Sequence, residues 1–148
     1  MDFTALMENT LMIERCTVFM WKDYVFPDTG EKRDKYWVTL NCKINDFPIN
    51  VILPTSQYGN HHYSNPINMM DCVVINRGES RHFPANKTIL DLKNIVKEEE
   101  WNIKDAYEKG FLVELGALED TICKKIEQTI EDSELLEPYR IDELLCKS

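Results

Sequence analysis

The chain has 148 residues, a net charge of −9 and a hydrophobic share of 43%. These values fit one folded domain with its own core and disfavour intrinsic disorder. No apolar run reaches the roughly 20 residues of a membrane-spanning helix, so we expect no membrane partner. The first residues include an acid and no basic cluster, which predicts a cytoplasmic protein without a signal peptide.

The acidic charge is concentrated in the last third of the chain. Residues 1–96 carry 10 basic and 11 acidic side chains, whereas residues 97–148 carry 7 and 15. An acidic protein repels phosphates at long range, so binding of nucleic acid would need a local basic patch. The near-neutral first part is where such a patch is expected.

The five cysteines are scattered and include no C-x-x-C pair: Cys16, Cys42, Cys72, Cys123 and Cys146. In a cytoplasmic protein this pattern predicts reduced thiols that pack as small hydrophobic groups. A zinc site needs clustered ligands, so the sequence predicts no metal and no other cofactor.

The first elements follow from the spacing of apolar residues. Residues 1–14 place apolar side chains on one face of a helix, which predicts a short N-terminal helix. Residues 16–26 predict a strand that is buried on both faces at its start and exposed later. Residues 27–30 are a turn signal, and residues 31–35 read as a charged loop.

Residues 35–57 form the central part of the predicted sheet. Strands are expected at residues 36–40 and 49–53, joined by the turn sequence Asn-Asp-Phe-Pro. The second strand stops at Pro54, and Thr55, Ser56 and Gln57 follow it as three polar side chains. Polar groups held at the end of a rigid strand are a common way to build a site.

The rest of the chain changes from strands to helices. A loop with His61 and His62 precedes predicted short strands near residues 71–76 and 88–92, a pattern typical of a small antiparallel barrel. From residue 93 the period is helical, with helices expected at residues 103–109, at residues 118–130 and after Pro138. Gly110 is placed to terminate the first of these helices.

This order of elements resembles the MazF/PemK-type toxin family over roughly residues 16–92. The residues that carry the resemblance are the Lys-Tyr-Trp-Val segment at 35–38, the Pro-Thr-Ser strand end at 54–56 and the Asp-Cys-Val-Val-Ile strand at 71–75. The family implies a small SH3-like β-barrel followed by helices. The fold expected is therefore α+β, with a mostly antiparallel SH3-like barrel and N-terminal helix in residues 1–92 and an acidic helical appendage in residues 93–148 packed on it.

The resemblance also implies a function and partners. Many members of the family are endoribonucleases that cut single-stranded mRNA, pair as dimers and are silenced by a protein antitoxin. The family's basic position falls on Lys35 or Arg33, and its hydroxyl position falls on Thr55 or Ser56. Where the family commonly has Arg-Pro this chain has Lys-Tyr, and its C-terminal part is longer and more acidic.

Metal-independent RNA cleavage needs a base, an acid and cationic or hydrogen-bonding groups around the phosphate. The predicted catalytic residues are Lys35, Thr55, Ser56 and His61. The predicted RNA-binding residues are Arg33, Gln57, Arg77 and Arg81. Aromatic residues that could stack on splayed bases are Trp37, Tyr58 and Tyr63.

Each of these residues also has a structural interpretation. Thr55 and Ser56 can be a plain polar strand end, the two histidines can be solvated, and Trp37 can belong to the core. The alternative function is a non-catalytic protein-interaction module from a toxin–antitoxin or mobile-element context. Convergence of Lys35 or Arg33 with the strand-end hydroxyls in one concave patch favours the enzyme. A further hypothesis is that the acidic C-terminal part folds over the basic groove as an antitoxin segment does.

Overall fold

A computed structural model of the chain describes residues 11–26, 29–56 and 62–147. The chain order of its elements is β1 (Thr17–Val25), β2 (Lys32–Thr39), β3 (Ile49–Ile52), β4 (Cys72–Asn76), β5 (Lys87–Asp91), a 3-10 turn (Leu92–Asn94), β6 (Val96–Glu98), α1 (Glu100–Glu108), β7 (Leu112–Ala117), α2 (Asp120–Glu131) and α3 (Pro138–Leu144). The fold is α+β with mostly antiparallel strand pairing, as the sequence predicts.

The strands form two sheets. The larger sheet has the strand order β6-β3-β2-β1-β7, and the smaller is the antiparallel pair β4-β5. A single bridge between Thr55 and Ile89 joins the segment after β3 to β5. β4 pairs only with β5, and apart from this bridge no ladder joins the smaller sheet to the larger one in the described ranges. The strands there do not close into a barrel. The described strands thus form two packed sheets with no closed barrel, and the SH3-like character of the fold stays a prediction.

The larger sheet buries both of its faces. Val18 pairs with Val38 and Phe19 pairs with Trp37, and neighbouring residues of a strand face opposite sides of a sheet. All four side chains are at most 1% exposed. The predicted burial of β1 on both faces at its start is thus confirmed, and its exposed part begins at Lys22.

One face packs against β4, β5 and α2. The buried residues of α2 are Ile122, Ile126 and Ile130, which are spaced four residues apart and so lie on one side of the helix. They join Val73 and Ile75 of β4 in one hydrophobic cluster. The predicted helix over residues 118–130 is confirmed, with its first turn at Asp120.

The opposite face packs against α1. Ile103 and Ala106 of this helix join Trp21 and Trp37 in a second hydrophobic cluster, where the two indole rings lie 4.7 Å apart. Trp37 is fully buried. Its interpretation as a core residue is therefore confirmed, and its interpretation as a base-stacking platform is wrong. Gly110 follows α1 with φ +78°, the left-handed conformation expected of a residue that ends a helix.

The chain after residue 92 contributes two strands to the larger sheet. β6 pairs with β3, and β7 pairs with β1. The description of residues 93–148 as a helical appendage is therefore corrected, because the sheet itself crosses residue 92. β6 has only three residues, which is too short to show an alternation of apolar and polar side chains. The pairing of β7 with β1 shifts register between Val18 and Phe19, which interrupts the same alternation in β7.

The N-terminal prediction is only partly testable. Residues 1–10 of the predicted helix lie outside the described residues, as do residues 27–28 of the turn and 57–61 of the loop. Residues 11–14 are not helical: the backbone amide of Ile13 donates to Asn45 Oδ1 at 2.8 Å, and Asn45 Nδ2 donates to the Leu11 carbonyl at 2.8 Å. These side-chain bonds hold the segment extended, so the helix prediction is wrong there.

The predicted charged loop at residues 31–35 is mostly strand. β2 begins at Lys32, and Arg33 and Lys35 pair with Tyr24 and Trp21 of β1. The two strands shift register between these pairs, and Asp23 adopts a positive φ of 55° in the shift. Because of this bulge, Arg33 and Lys35 stay paired with β1 although the rest of the sheet is mostly apolar.

Two cysteines are joined in a disulfide, which corrects the prediction of reduced thiols. Cys42 and Cys146 are 104 positions apart in sequence, with Cα atoms 5.5 Å apart. The packing of α3 brings Cys146 to the segment after β2, a proximity that cysteine spacing does not show. Cys16, Cys72 and Cys123 are free thiols.

Candidate functional site

A cavity of about 740 Å³ opens between the start of β2, the segment after β3 and β5. Four of the residues predicted for the site line it together: Arg33, Lys35, Thr55 and Ser56. The other lining residues are Phe26, Asp34, Tyr36, Leu53, Pro54, Tyr63, Phe83, Pro84, Ala85, Thr88, Asp91, Asn94 and Val96. The concave patch that would favour an enzyme is therefore present.

Regular backbone structure positions the polar residues of the cavity. Arg33 and Lys35 are two residues apart on β2, so both side chains leave the same side of the strand. Thr55 is held against β5 by two backbone hydrogen bonds with Ile89, at 3.0 and 2.8 Å. Ser56 follows directly. The cationic and hydroxyl groups are thus carried on two anchored segments that face one space.

Lys35 is the half-buried cation of the cavity. Its ammonium group donates to the Pro54 carbonyl. Burial, together with the nearby Arg33 charge, lowers the pKa of Lys35 to about 8. Among the described residues no carboxylate forms an ion pair with it. Lys35 is therefore an amine that titrates close to neutral pH.

Arg33 is more exposed and is held by an aromatic ring. Its guanidinium carbon lies 4.5 Å from the ring centroid of Phe26, and Lys35 Nζ lies 5.9 Å from the same centroid. Arg33 also pairs with Glu31 at 3.5 Å, but both side chains are more than half exposed, so the ion pair is weak. The guanidinium stays able to bind an anion at the cavity mouth.

Aromatic side chains line another part of the cavity. Tyr36 and Phe83 meet edge to face with ring centroids 5.2 Å apart. The Tyr63 hydroxyl donates to Asp91 Oδ2 at 3.2 Å, and burial together with the Asp91 charge raises the pKa of Tyr63 to about 12. Tyr63 therefore keeps its proton at physiological pH.

Asp91 is a buried lining residue that the sequence reasoning missed. Its carboxylate accepts hydrogen bonds from the Lys93 backbone amide at 3.0 Å and from Asn94 Nδ2 at 3.2 Å, besides the Tyr63 hydroxyl. Lys93 Nζ forms an ion pair with it at 3.0 Å. An acidic residue inside an apolar strand sequence, Thr-Ile-Leu-Asp-Leu, was the available signal, because a buried carboxylate requires partners.

Two predicted RNA-binding residues lie away from the cavity. Arg77 is exposed near the turn between β4 and β5, 3.5 Å from the Asn86 side-chain oxygen. The Arg81 backbone amide donates to Glu119 Oε2 at 2.9 Å. Neither residue lines the cavity. That either residue binds RNA stays a prediction, and it would require the RNA to extend beyond the cavity.

The remaining predicted residues fall in the loop after β3. Gln57, Tyr58 and His61 lie outside the described residues, so their predicted roles stay predictions. His62 is exposed and meets the Tyr63 ring edge to face at 4.6 Å.

The acidic C-terminal helices do not line the cavity. Val96 is the last lining residue along the described chain, and α2 packs instead against β4. The hypothesis that the acidic part covers the basic groove therefore has no support in this arrangement.

Within residues 11–26, 29–56 and 62–147, no three acidic, histidine or cysteine side chains are grouped as a metal site. None of the described helices is long and apolar enough to cross a membrane. Comparisons of the chain with protein-family models, curated proteins and solved structures found no match. The resemblance to MazF/PemK-type toxins rests on the residues quoted for it.

Proposed function

We propose that the cavity binds single-stranded RNA and cleaves it without a metal ion, as an endoribonuclease of the toxin type does. The observation that carries the proposal is the convergence of Arg33, Lys35, Thr55 and Ser56 on one concave surface. The antiparallel pairing of β2 with β3 places the start of β2 beside the segment after β3, so the fold holds the cationic and hydroxyl groups next to each other.

The chemistry assigns Lys35 as the general base. Its neutral amine takes the proton of the ribose 2′-hydroxyl while the 2′-oxygen bonds to phosphorus and the bond from phosphorus to the 5′-oxygen breaks. A pKa of about 8 leaves a useful neutral fraction near neutral pH. Arg33 and the hydroxyls of Thr55 and Ser56 stabilise the charge that develops on the phosphate oxygens. His61, a catalytic residue in the sequence prediction, is proposed as the acid for the leaving 5′-oxygen.

The shape and walls of the cavity favour a single strand. About 740 Å³ admits unstacked nucleotides, whereas the paired bases of a duplex cannot enter a concave pocket. Tyr36, Tyr63 and Phe83 provide aromatic surface in the same cavity as the cationic residues. Aromatic stacking for bases beside cations for phosphates is the usual composition of a single-strand binding site.

A second candidate is a non-catalytic protein-interaction module, and one surface favours it. β7 is an edge strand of the larger sheet, and it presents three partly exposed apolar side chains on or next to it: Phe111, Val113 and Leu115. Edge strands with apolar side chains are sites of strand pairing with other chains. A protein antitoxin or a second copy of the chain would fit this edge, whether the chain is a ribonuclease or an interaction module.

The test is cleavage of a fluorescently labelled single-stranded RNA pool in EDTA. Wild type is compared with Lys35→Ala and Thr55→Ala, and with Lys32→Ala as a control, because Lys32 is an exposed lysine of the same strand that does not line the cavity. We expect wild type and the control to cleave, and the two cavity variants to lose cleavage. Absence of cleavage by folded wild type would move the assignment to the interaction module.

A further inference from the structure

The immediate surroundings of Lys35 match those of reactive lysines that act on carbonyl compounds. The amine is half-buried in a cavity, is oriented by the Pro54 carbonyl, and has a second cation, Arg33, two residues away on β2. Amines used for imine formation are typically desolvated or placed beside another positive charge, since both conditions favour the nucleophilic neutral form. Lys35 has both.

The same cavity offers a binding group for an anion. Arg33 is held over the Phe26 ring with its guanidinium at the cavity mouth, and the hydroxyl-bearing residues Thr55 and Ser56 also line the space. A guanidinium binds carboxylates and phosphates through paired hydrogen bonds. A ligand with an anionic group at Arg33 would present its other end toward Lys35.

We propose that Lys35 captures small anionic aldehydes or 2-oxo acids as an imine, with Arg33 binding the anionic group. The Lys35 nitrogen attacks the carbonyl carbon, and the carbonyl oxygen becomes the hydroxyl of a carbinolamine. Loss of that hydroxyl as water gives the carbon–nitrogen double bond, so the step requires no oxidant or reductant. This site chemistry is independent of RNA cleavage.

The lowered pKa of Lys35 agrees with this geometry, because it increases the fraction of the amine that is neutral and nucleophilic. With a pKa of about 8, about a quarter of Lys35 amines are neutral at pH 7.5, against about one in a thousand for an ordinary lysine. Lower basicity reduces the nucleophilicity of each neutral amine, which offsets part of this gain. Capture at Lys35 is therefore expected to be at least about tenfold faster than at surface lysines.

The experiment uses glyoxylate as the probe and cyanoborohydride to reduce the imine to a stable secondary amine. The full-length protein is sampled over time, and the modified lysine is located by peptide mass mapping. Among the lysines we expect the first adduct at Lys35, no adduct at that position in Lys35→Arg, and unchanged capture at Lys35 in Lys32→Arg. Circular dichroism establishes that each variant is folded.

A second comparison tests the anion-binding role. Arg33→Gln should slow capture of glyoxylate at Lys35 by about tenfold or more, while capture of the neutral aldehyde propanal changes much less. Adducts spread evenly over the lysines, with Lys35 no faster than Lys32, would overturn the inference. A protein that captures glyoxylate at Lys35 but cleaves no RNA would retain this inference and lose the ribonuclease proposal.

Discussion

At the scale of single residues, the environment of Lys35 sets its chemistry. The strand on which it lies exposes Lys32 to solvent but buries Lys35 partly against the cavity wall. Two lysines three positions apart are thus given different roles. Sequence could place both near a strand end, but it could not show which amine is desolvated, because burial depends on the segments that cover it.

The first prediction concerns the pH dependence of RNA cleavage. The base must be neutral, so kcat/KM, which reports the free protein, should rise with pH below the pKa of Lys35 and level off above about pH 8. Lys35→Arg keeps the charge but cannot lose its proton, so cleavage should fall by about 100-fold or more while RNA binding changes little. A rate in the arginine variant close to that of wild type would exclude Lys35 as the base.

The second prediction concerns Asp91, whose carboxylate is 95% buried and holds Tyr63, Lys93 and Asn94. Asp91→Asn removes the charge that balances Lys93 and should lower the free energy of unfolding by about 2–4 kcal/mol. The matched control is Asp105→Asn, which removes an exposed pair with Lys109 and should cost less than about 0.5 kcal/mol. Urea unfolding measures both; equal effects would show that Asp91 is not an anchor of the cavity wall.

The candidate site was partly predictable at this scale. Thr55 and Ser56 are visible in the sequence as polar residues at a strand end, whereas Arg33 and Lys35 were indicated by the resemblance to MazF/PemK-type toxins. The contribution of Asp91 was not found, since its role depends on pairing between β4, β5 and the 3-10 turn. Local sequence does not encode which distant donors a buried carboxylate meets.

At the scale of elements, regular periodicity was the reliable signal. The isoleucine stripe of α2 predicted its buried face, and β-branched residues predicted β3 and β4. The charged first half of β2 was assigned to a loop, because pairing with β1 overrides the weak intrinsic preference of such residues for strands. β6 was missed for the same reason, since its Val-Lys-Glu sequence gains its conformation from β3.

The third prediction tests the packing of α2 on the sheet. Ile126 is completely buried between the helix and the strands, so Ile126→Ala should leave a cavity and lower the free energy of unfolding by about 2–5 kcal/mol. Leu135→Ala serves as the control, because Leu135 is half exposed and should change the value by less than about 1 kcal/mol. Thermal and urea unfolding give the two values, and a small effect at Ile126 would contradict the assigned core.

At the scale of the whole molecule, the disulfide joins two distant parts of the chain. Cys42 follows β2 and Cys146 follows α3, and Arg15 also links these regions through the carbonyls of Leu40 and Leu144, at 2.9 and 2.7 Å. The C-terminal helix is therefore held by noncovalent contacts as well as by the covalent link. A long enclosed loop makes the covalent link an effective restraint on the unfolded chain.

The fourth prediction follows from that restraint. Under oxidising conditions Cys42→Ser should have a free energy of unfolding about 2–5 kcal/mol lower than that of wild type. In the presence of a reductant the two proteins should differ little, because the wild-type bond is then also broken. Cys72→Ser is the control, because Cys72 is a free thiol. Equal stability of oxidised wild type and Cys42→Ser would contradict a structural role for the bond.

The disulfide also bears on where the protein works. Cytoplasmic proteins are normally kept reduced, so a Cys42–Cys146 bond and the cytoplasmic prediction favour different compartments. The cysteine count could not reveal the pair, because only the folded chain brings positions 104 residues apart into contact. Thiol alkylation followed by intact-mass measurement on protein taken directly from its compartment reports which state is present.

The most direct test of the central claim is the titration of the Lys35 side chain by NMR, without ligand and with a single-stranded DNA oligonucleotide. The oligonucleotide lacks the 2′-hydroxyl and so binds without being cut. We predict a pKa of about 8 in the free protein and a higher value in the complex, because phosphate stabilises the charged amine. An ordinary lysine value that the oligonucleotide leaves unchanged would contradict the assignment of this cavity as the functional site.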